Sequence, residues 1–213
     1  MCSKDSFNRS PTTEKIWKAT KHKDFTRKTR DFIWKGTQNA YKIGEYWFPI
    51  AGFQERGTCP ICDVQEDMDH ILTKCNARPR KLAWELARGL WRRRDNRALP
   101  HKLGDILGCG LADFALNDKP NKGKNRLYRI IMSETAYLLW KMRNERRIRD
   151  GDTAEQPSDK EITNRWMNAI NKRLTVDRSL TDAKRFGKKA VDENLVKSTW
   201  FNCLKGEESL PPD

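Results

Sequence analysis

Four candidate metal ligands, Cys59, Cys62, His70 and Cys75, fall within 17 residues in the pattern C-x2-C-x7-H-x4-C. A two-residue gap lets both sulfurs of a tight turn face one ion, and a histidine and a third cysteine from a following helical turn complete a tetrahedron of soft donors. The spacing predicts that this turn begins near Glu66 or Asp67, acids that suit a helix N-terminus. Four protein ligands would close the site around one structural Zn2+ and leave no position for catalytic water. The alternative is a pair of unrelated buried cysteines beside a surface histidine and a lone cysteine. Cys2, Cys109 and Cys203 have no partner at ligand spacing and read as buried or incidental thiols.

Composition decides what kind of fold surrounds this pattern. Only four Val accompany eight Trp, and apolar residues recur at helical period, so the core is expected to be helical and rich in aromatics, not a β-sandwich. Lys and Arg number 43 against 29 Asp and Glu, a net charge of +14, which favours a polyanionic partner. No apolar run reaches the length that spans a bilayer, and the N-terminus lacks an apolar signal core, so no membrane association is expected and the chain reads as intracellular. In a reducing compartment, clustered cysteines point to metal chemistry before disulfides. The short basic clusters Arg92 to Arg94 and Arg146–Arg147 could serve as nuclear import signals.

Along the chain, Ser10–Pro11 reads as a cap and first turn of a helix over about 11–35, with Ile16, Phe32 and Ile33 inward. From Gly36 to Gly57 the period is lost and aromatics crowd, which predicts an ordered loop with little regular structure. Residues 79–95 form an amphipathic helix with Ala83, Leu86, Ala87, Leu90 and Trp91 inward. Residues 125–149 are apolar almost all round and should be the central helix. A polar linker covers 151–157, Ser158 to Glu161 is a capping box that starts another helix, and a last helix lies near 189–205. The expected organisation is a zinc-binding region over 11–102, with its knuckle at 59–75 and flanking basic helices, then a helical region over 103–205. Residues 1–10 and 206–213 are expected to be disordered. Trp17, Trp34, Trp84, Trp140 and Trp166 sit at core spacing and are read as packing residues. His22 and His101 are read as surface residues.

The span from Arg56 to Cys75 resembles the reverse-transcriptase zinc-binding domain found at the C-terminus of non-LTR (LINE-type) retrotransposon polyproteins. It is most similar to fungal versions that follow a reverse transcriptase and often an RNase H domain. The resemblance extends to the segments Lys15 to Thr20, Arg30 to Trp34, Gly104 to Gly110, Leu138 to Glu145 and Asn164 to Trp166, and so covers most of the chain. By position, Cys59, Cys62, His70 and Cys75 correspond to the family's four ligands. Asp63 stands where the family commonly has glycine, a departure that Asp tolerates better than most residues. Gln38 stands where many relatives carry a histidine before Tyr41, so no fifth ligand is expected there. The resemblance implies a reverse transcriptase as a partner but imports no enzyme: no Tyr-x-Asp-Asp motif and no convincing RNase H acidic set is present.

Charge is unevenly spread. Residues 59–75 hold four acids and one base, whereas 76–102 hold nine bases and two acids. Phosphate is therefore expected on the flank of the knuckle, at Arg78, Arg80, Lys81, Arg88, Arg92, Arg93, Arg94 and Arg97, where a planar guanidinium grips phosphate oxygens at two points. The run Lys141, Arg143, Arg146, Arg147 and Arg149 reads equally well as a solvated helix end. Two functions follow: a zinc-stabilised nucleic-acid-binding tail that holds template RNA or target DNA, or a structural or protein-interaction module whose zinc only folds it. An enzyme is the least favoured reading, because no carboxylate pair or open metal site stands out.

Overall fold

The computed structural model describes residues 11–116, 119–149 and 156–203. The termini expected to be disordered, Cys2, and most of the 151–157 linker lie outside them. The chain is mainly helical, with two small antiparallel hairpins. Its elements are α1 (Thr13–Thr20), α2 (Arg27–Thr37), β1 (Thr58–Cys59), β2 (Val64–Gln65), α3 (Arg78–Arg92), α4 (Leu103–Leu107), β3 (Ala115–Leu116), β4 (Lys119–Pro120), α5 (Lys122–Asn144), α6 (Asp159–Ser179), α7 (Ala183–Phe186) and α8 (Glu193–Trp200). Among the described residues, no helix is long and apolar enough to cross a membrane.

Side-chain caps start most of these helices. Thr12, Thr26, Asn121, Ser158, Asp182 and Asp192 each accept a backbone N–H from three residues on, which satisfies one of the donors a helix N-terminus leaves open. The helix expected over 11–35 is in fact two, and Thr12, not Ser10, is the cap of the first. The break between Thr20 and Arg27 lets Phe25 and Asp24 turn inward, where they are 3% and 7% exposed. Burying an aromatic ring and pairing a carboxylate outweigh the few hydrogen bonds a continuous helix would add. The 36–57 stretch is irregular as expected, apart from two 3-10 turns at Gly44–Trp47 and Gln54–Gly57.

The central helix is α5, buried on nearly every side and packed by α2, α3, α4, α6 and α8. One continuous cluster joins Phe32 and Ile33 of α2, Trp84 and Trp91 of α3, Ile131 of α5, Trp166 of α6 and Trp200 of α8, on both sides of residue 102. Tyr128 is met edge-on by Trp91 at 5.6 Å and Phe114 at 5.1 Å between ring centres, a favoured aromatic geometry. At the crossing of α5 and α8, a Cβ on Gly123 would fall 2.5 Å from the Ser198 carbonyl oxygen, so only glycine permits this approach.

Trp84 and Trp166 are core residues, and each indole N–H is satisfied, by the Leu72 carbonyl at 2.7 Å and the Thr135 hydroxyl at 2.9 Å. Trp140 is partly buried. Trp17 and Trp34 depart from the packing role expected of them: they stand 36% and 43% exposed. The histidines depart in the other direction. His22 is half-buried beside Asp24, and His101 is half-buried against the Trp84 ring.

Candidate metal centre

The knuckle is built by a hairpin and a helical turn. β1 and β2 pair with Thr58 opposite Gln65 and Cys59 opposite Val64. Between them Asp63 takes a left-handed conformation, φ 53°, and its N–H closes the turn on the Cys59 carbonyl at 2.8 Å. Asp occupies the position expected to want glycine, and does so in that conformation. Asp67 then caps the following turn, accepting the His70 N–H at 2.6 Å, and the chain continues as a π-helical turn over His70–Lys74. A π turn fits one extra residue into the coil, which is a recurrent feature of functional sites.

Cys59, Cys62, His70 and Cys75 converge, with one donor atom from each lying within 4.8 Å of all the others. Cys75 Sγ is 3.8 Å from Cys59 Sγ and 3.9 Å from Cys62 Sγ. A tetrahedron whose sulfurs lie about 2.3 Å from a central ion has edges near 3.8 Å, so these separations match a single metal rather than a disulfide or loose thiols. His70 is 7% exposed, and its Nε2 is buried without a hydrogen-bond partner among the described residues, which fits a nitrogen that binds an ion. Backbone amides favour anionic sulfur here: Asn76 N–H donates to Cys62 Sγ at 3.2 Å and Ala77 N–H to Cys75 Sγ at 3.5 Å. The bond from Cys75 holds the Cys59 thiol down to about 3, while that interaction and burial push Cys75 up. The four residues can therefore hold one metal ion in a closed site.

Three of the four acids of the loop are engaged within the fold, although only Glu66 is buried. Glu66 is 2% exposed and paired with Arg143 near the end of α5. Asp67 is the helix cap. Burial alone would raise the Asp69 carboxyl, but Lys74 and Thr73 hold it below its usual range. Gly44 locks the loop from the other side. It has φ 53°, and a Cβ there would lie 2.1 Å from the Glu66 carbonyl oxygen.

The structure sorts the eight basic residues expected to meet phosphate. Arg78 forms a two-point pair with Asp159 of α6, and Arg97 pairs with Asp95. Arg80 turns back to the Cys75 carbonyl at 2.6 Å. Arg94 donates to the Ser198 carbonyl at 3.1 Å and lies over the Phe201 ring. Helix geometry explains the inward turn of Arg80, which stands three and four residues before the buried Ala83 and Trp84. The remaining four, Lys81, Arg88, Arg92 and Arg93, make no ion pair among the described residues. Lys81, Arg88 and Arg92 fall at i, i+7 and i+11, one outward stripe of α3.

Two members of the second basic run turn inward, whereas Lys141 stays exposed. Arg143 reaches Glu66, and Arg147, 7% exposed, donates to the Glu55 carbonyl at 2.9 Å. Arg143 thus fastens α5 to the knuckle, and Arg147, in the π-helical turn Glu145–Arg149 that follows α5, fastens it to the 3-10 turn before the knuckle. Of the two short basic clusters, Arg146–Arg147 is half-buried to buried, whereas Arg92 and Arg93 are exposed.

A buried charge network is absent from the sequence reading. Arg126 makes a two-point bond to Asp177 at 2.6 and 2.7 Å and reaches Asp24 at 3.2 Å. Arg129 joins Asp24 at 3.2 Å, and the Trp200 indole N–H donates to Asp177 at 2.9 Å. The available signal was a pair of arginines on a helix otherwise read as apolar all round. Comparisons of the chain with protein-family models, curated proteins and solved structures give no match.

Proposed function

We propose that the site holds one structural zinc ion and that the protein is a zinc-stabilised nucleic-acid-binding module. Three thiolates and an imidazole at tetrahedral spacing suit zinc, and a four-ligand closed site leaves no coordination position for a substrate or water. The ion would fix the knuckle, and the knuckle orients α3. The observation that carries the nucleic-acid reading is the stripe of Lys81, Arg88 and Arg92 on α3, with Arg93 just past its end, exposed or half-exposed and in no ion pair among the described residues, on the element fastened to the metal loop. The likeness of residues 56–75 to the reverse-transcriptase zinc-binding domain supports the same reading. It makes the chain the counterpart of a non-catalytic retroelement tail that holds template RNA or target DNA, with a reverse transcriptase as partner and the nucleus as its site of action.

A salt titration tests this. Four engaged phosphates give a slope of log affinity against log salt near −3.6 on duplex DNA and about −2.8 on single strands. Arg92→Glu with Arg93→Glu should flatten that slope, whereas Asp63→Asn should not weaken binding. Loss of binding in a folded, zinc-loaded Asp63→Asn protein, with the arginine variant unaffected, would overturn it. The second reading, a protein-interaction module, has a specific observation of its own. An open groove of about 950 Å3 between α1, α2, the knuckle turn and α4 is lined by Ile16, Met68, Leu103, Leu107 and Leu111. Absence of nucleic-acid binding at about 50 mM salt selects it.

A further inference from the structure

The irregular segment after α2 and the C-terminal end of α5 enclose a cleft of about 420 Å3 that neither the metal nor the α3 stripe uses. Its walls are aromatic. Tyr41 and Trp140 lie 4.2 Å apart between ring centres, and Trp47 stands across the same cleft. The Trp47 indole N–H is fixed on the Lys42 carbonyl at 2.8 Å, and the Arg56 guanidinium sits 5.2 Å from its ring centre. Lys35, Lys42, Arg56, Arg143 and Arg147 also line the cleft, and among the described residues no carboxylate does. Of these basic residues, Lys35 and Arg143 have carboxylate partners outside it, Asp31 and Glu66. A second cleft of about 400 Å3 shares Trp140, Asn144 and Ile148 with the first and adds Tyr137, Lys141 and Glu145, whose carboxylate is paired with Arg165 of α6.

Apolar side chains around it are open to water: Ile148 of the lining is 68% exposed, and Tyr46 and Phe53, whose rings lie 5.1 and 6.0 Å from that of Trp47, are 43% and 41% exposed. Contiguous exposed aromatics ringed by cations are an interaction surface, and their chemistry selects the occupant. A flat π-face stacks on Trp or Tyr, a phosphate meets Lys or Arg, and a chain that alternates the two is a nucleic-acid strand. A duplex keeps its base faces stacked inside, so only an unpaired base can enter. We propose that the cleft between Trp47 and Trp140 seats an unpaired base of single-stranded nucleic acid, with the flanking phosphates on Lys42 and Arg56 and a neighbouring nucleotide in the second cleft. This rests on the nucleic-acid reading above and adds to it a site and a strand preference. The α3 stripe would bind either form through charge, and the cleft would bind only the single strand.

The test uses the zinc-loaded full chain with oligothymidylate of about 20 nucleotides and a duplex of equal length, a span several times that of two stacked bases. Trp47→Ala should weaken single-strand binding about 5- to 150-fold and leave duplex affinity within about twofold, because one stacked base contributes roughly 1–3 kcal/mol. Charge reversal at Arg92 and Arg93 should weaken both. A measurement on the unaltered protein guards against misfolding of the variant: photo-crosslinking a 4-thiouridine oligomer should mark peptides within 41–56 and 137–148. Crosslinks confined to α3, or a Trp47→Ala protein with unchanged zinc content, melting and single-strand affinity, would overturn the cleft assignment alone. No binding of either nucleic acid by the unaltered chain would overturn both the cleft and the broader reading.

Discussion

Arg80 Nε donates to the carbonyl oxygen of Cys75 at 2.6 Å, so the first turn of the basic helix is fastened to the last residue of the candidate metal centre. Burial disfavours the Arg80 charge, whereas Cys75 and Cys62 favour it, which gives the guanidinium a place beside the ligand sulfurs rather than on phosphate. Partners outside the ligand set commonly contribute 10- to 100-fold to metal affinity, as a rough range. Arg80→Gln should therefore weaken zinc binding by about tenfold in a chelator competition, while nucleic-acid affinity of the zinc-saturated protein stays within about twofold.

Removing the metal should act locally. Cys59 and Cys75 pack with Ala77 in a small cluster of their own, whereas Ile71 and Leu72 belong to the main core. Zinc binding in such sites contributes roughly 10–16 kcal/mol near neutral pH, more than this cluster could supply alone. Chelation, or Cys59→Ser, should raise hydrogen exchange over residues 57–67 and leave α5 and α6 protected. Complete loss of helical circular dichroism on chelation would show that the whole fold depends on the ion.

Asp177 is fully buried and receives Arg126 and Trp200. Asp177→Ala leaves the Arg126 guanidinium in the core with Asp24 and the Thr199 hydroxyl, and takes the carboxylate from Arg173 as well; breaking a buried pair from one side costs about 3–5 kcal/mol. Urea denaturation should show a loss of that order. A loss under about 1 kcal/mol would mean that water replaces the carboxylate.

Burial and the nearby Arg129 push the His22 imidazole below its ordinary 6.5, against the opposing pull of Asp24. The unfolded chain then binds a proton near pH 6.5 that the folded chain refuses, so stability is fully present above that pH and is lost as pH falls below it. His22→Asn should make stability less dependent on pH between about 6.5 and 5 than in the parent protein. Parallel denaturation curves at several pH values, compared between the two, read this directly, since both share the same metal ligands.

The legible parts of this protein are those whose signal is short-range. The ligand spacing, the Ser158 cap and the apolar run of α5 are set by residues within one or two turns of each other, and the structure carries all three. What was not legible depends on partners far along the chain. Arg78 reads as a phosphate ligand until α6 brings Asp159 to it, and Arg143 as a solvated helix end until the knuckle presents Glu66.

By itself, then, the sequence determined a helical, aromatic core and a four-ligand knuckle, because helix period and ligand spacing are local geometry. Only the tertiary structure decided which of the described basic residues are engaged by partners within the fold, as Arg126 and Arg143 are. It also decided the break before α2, where Asp24 leaves the helix to reach Arg126, more than a hundred residues away. A buried charge requires a counter-charge, and its position is fixed by packing rather than by sequence distance.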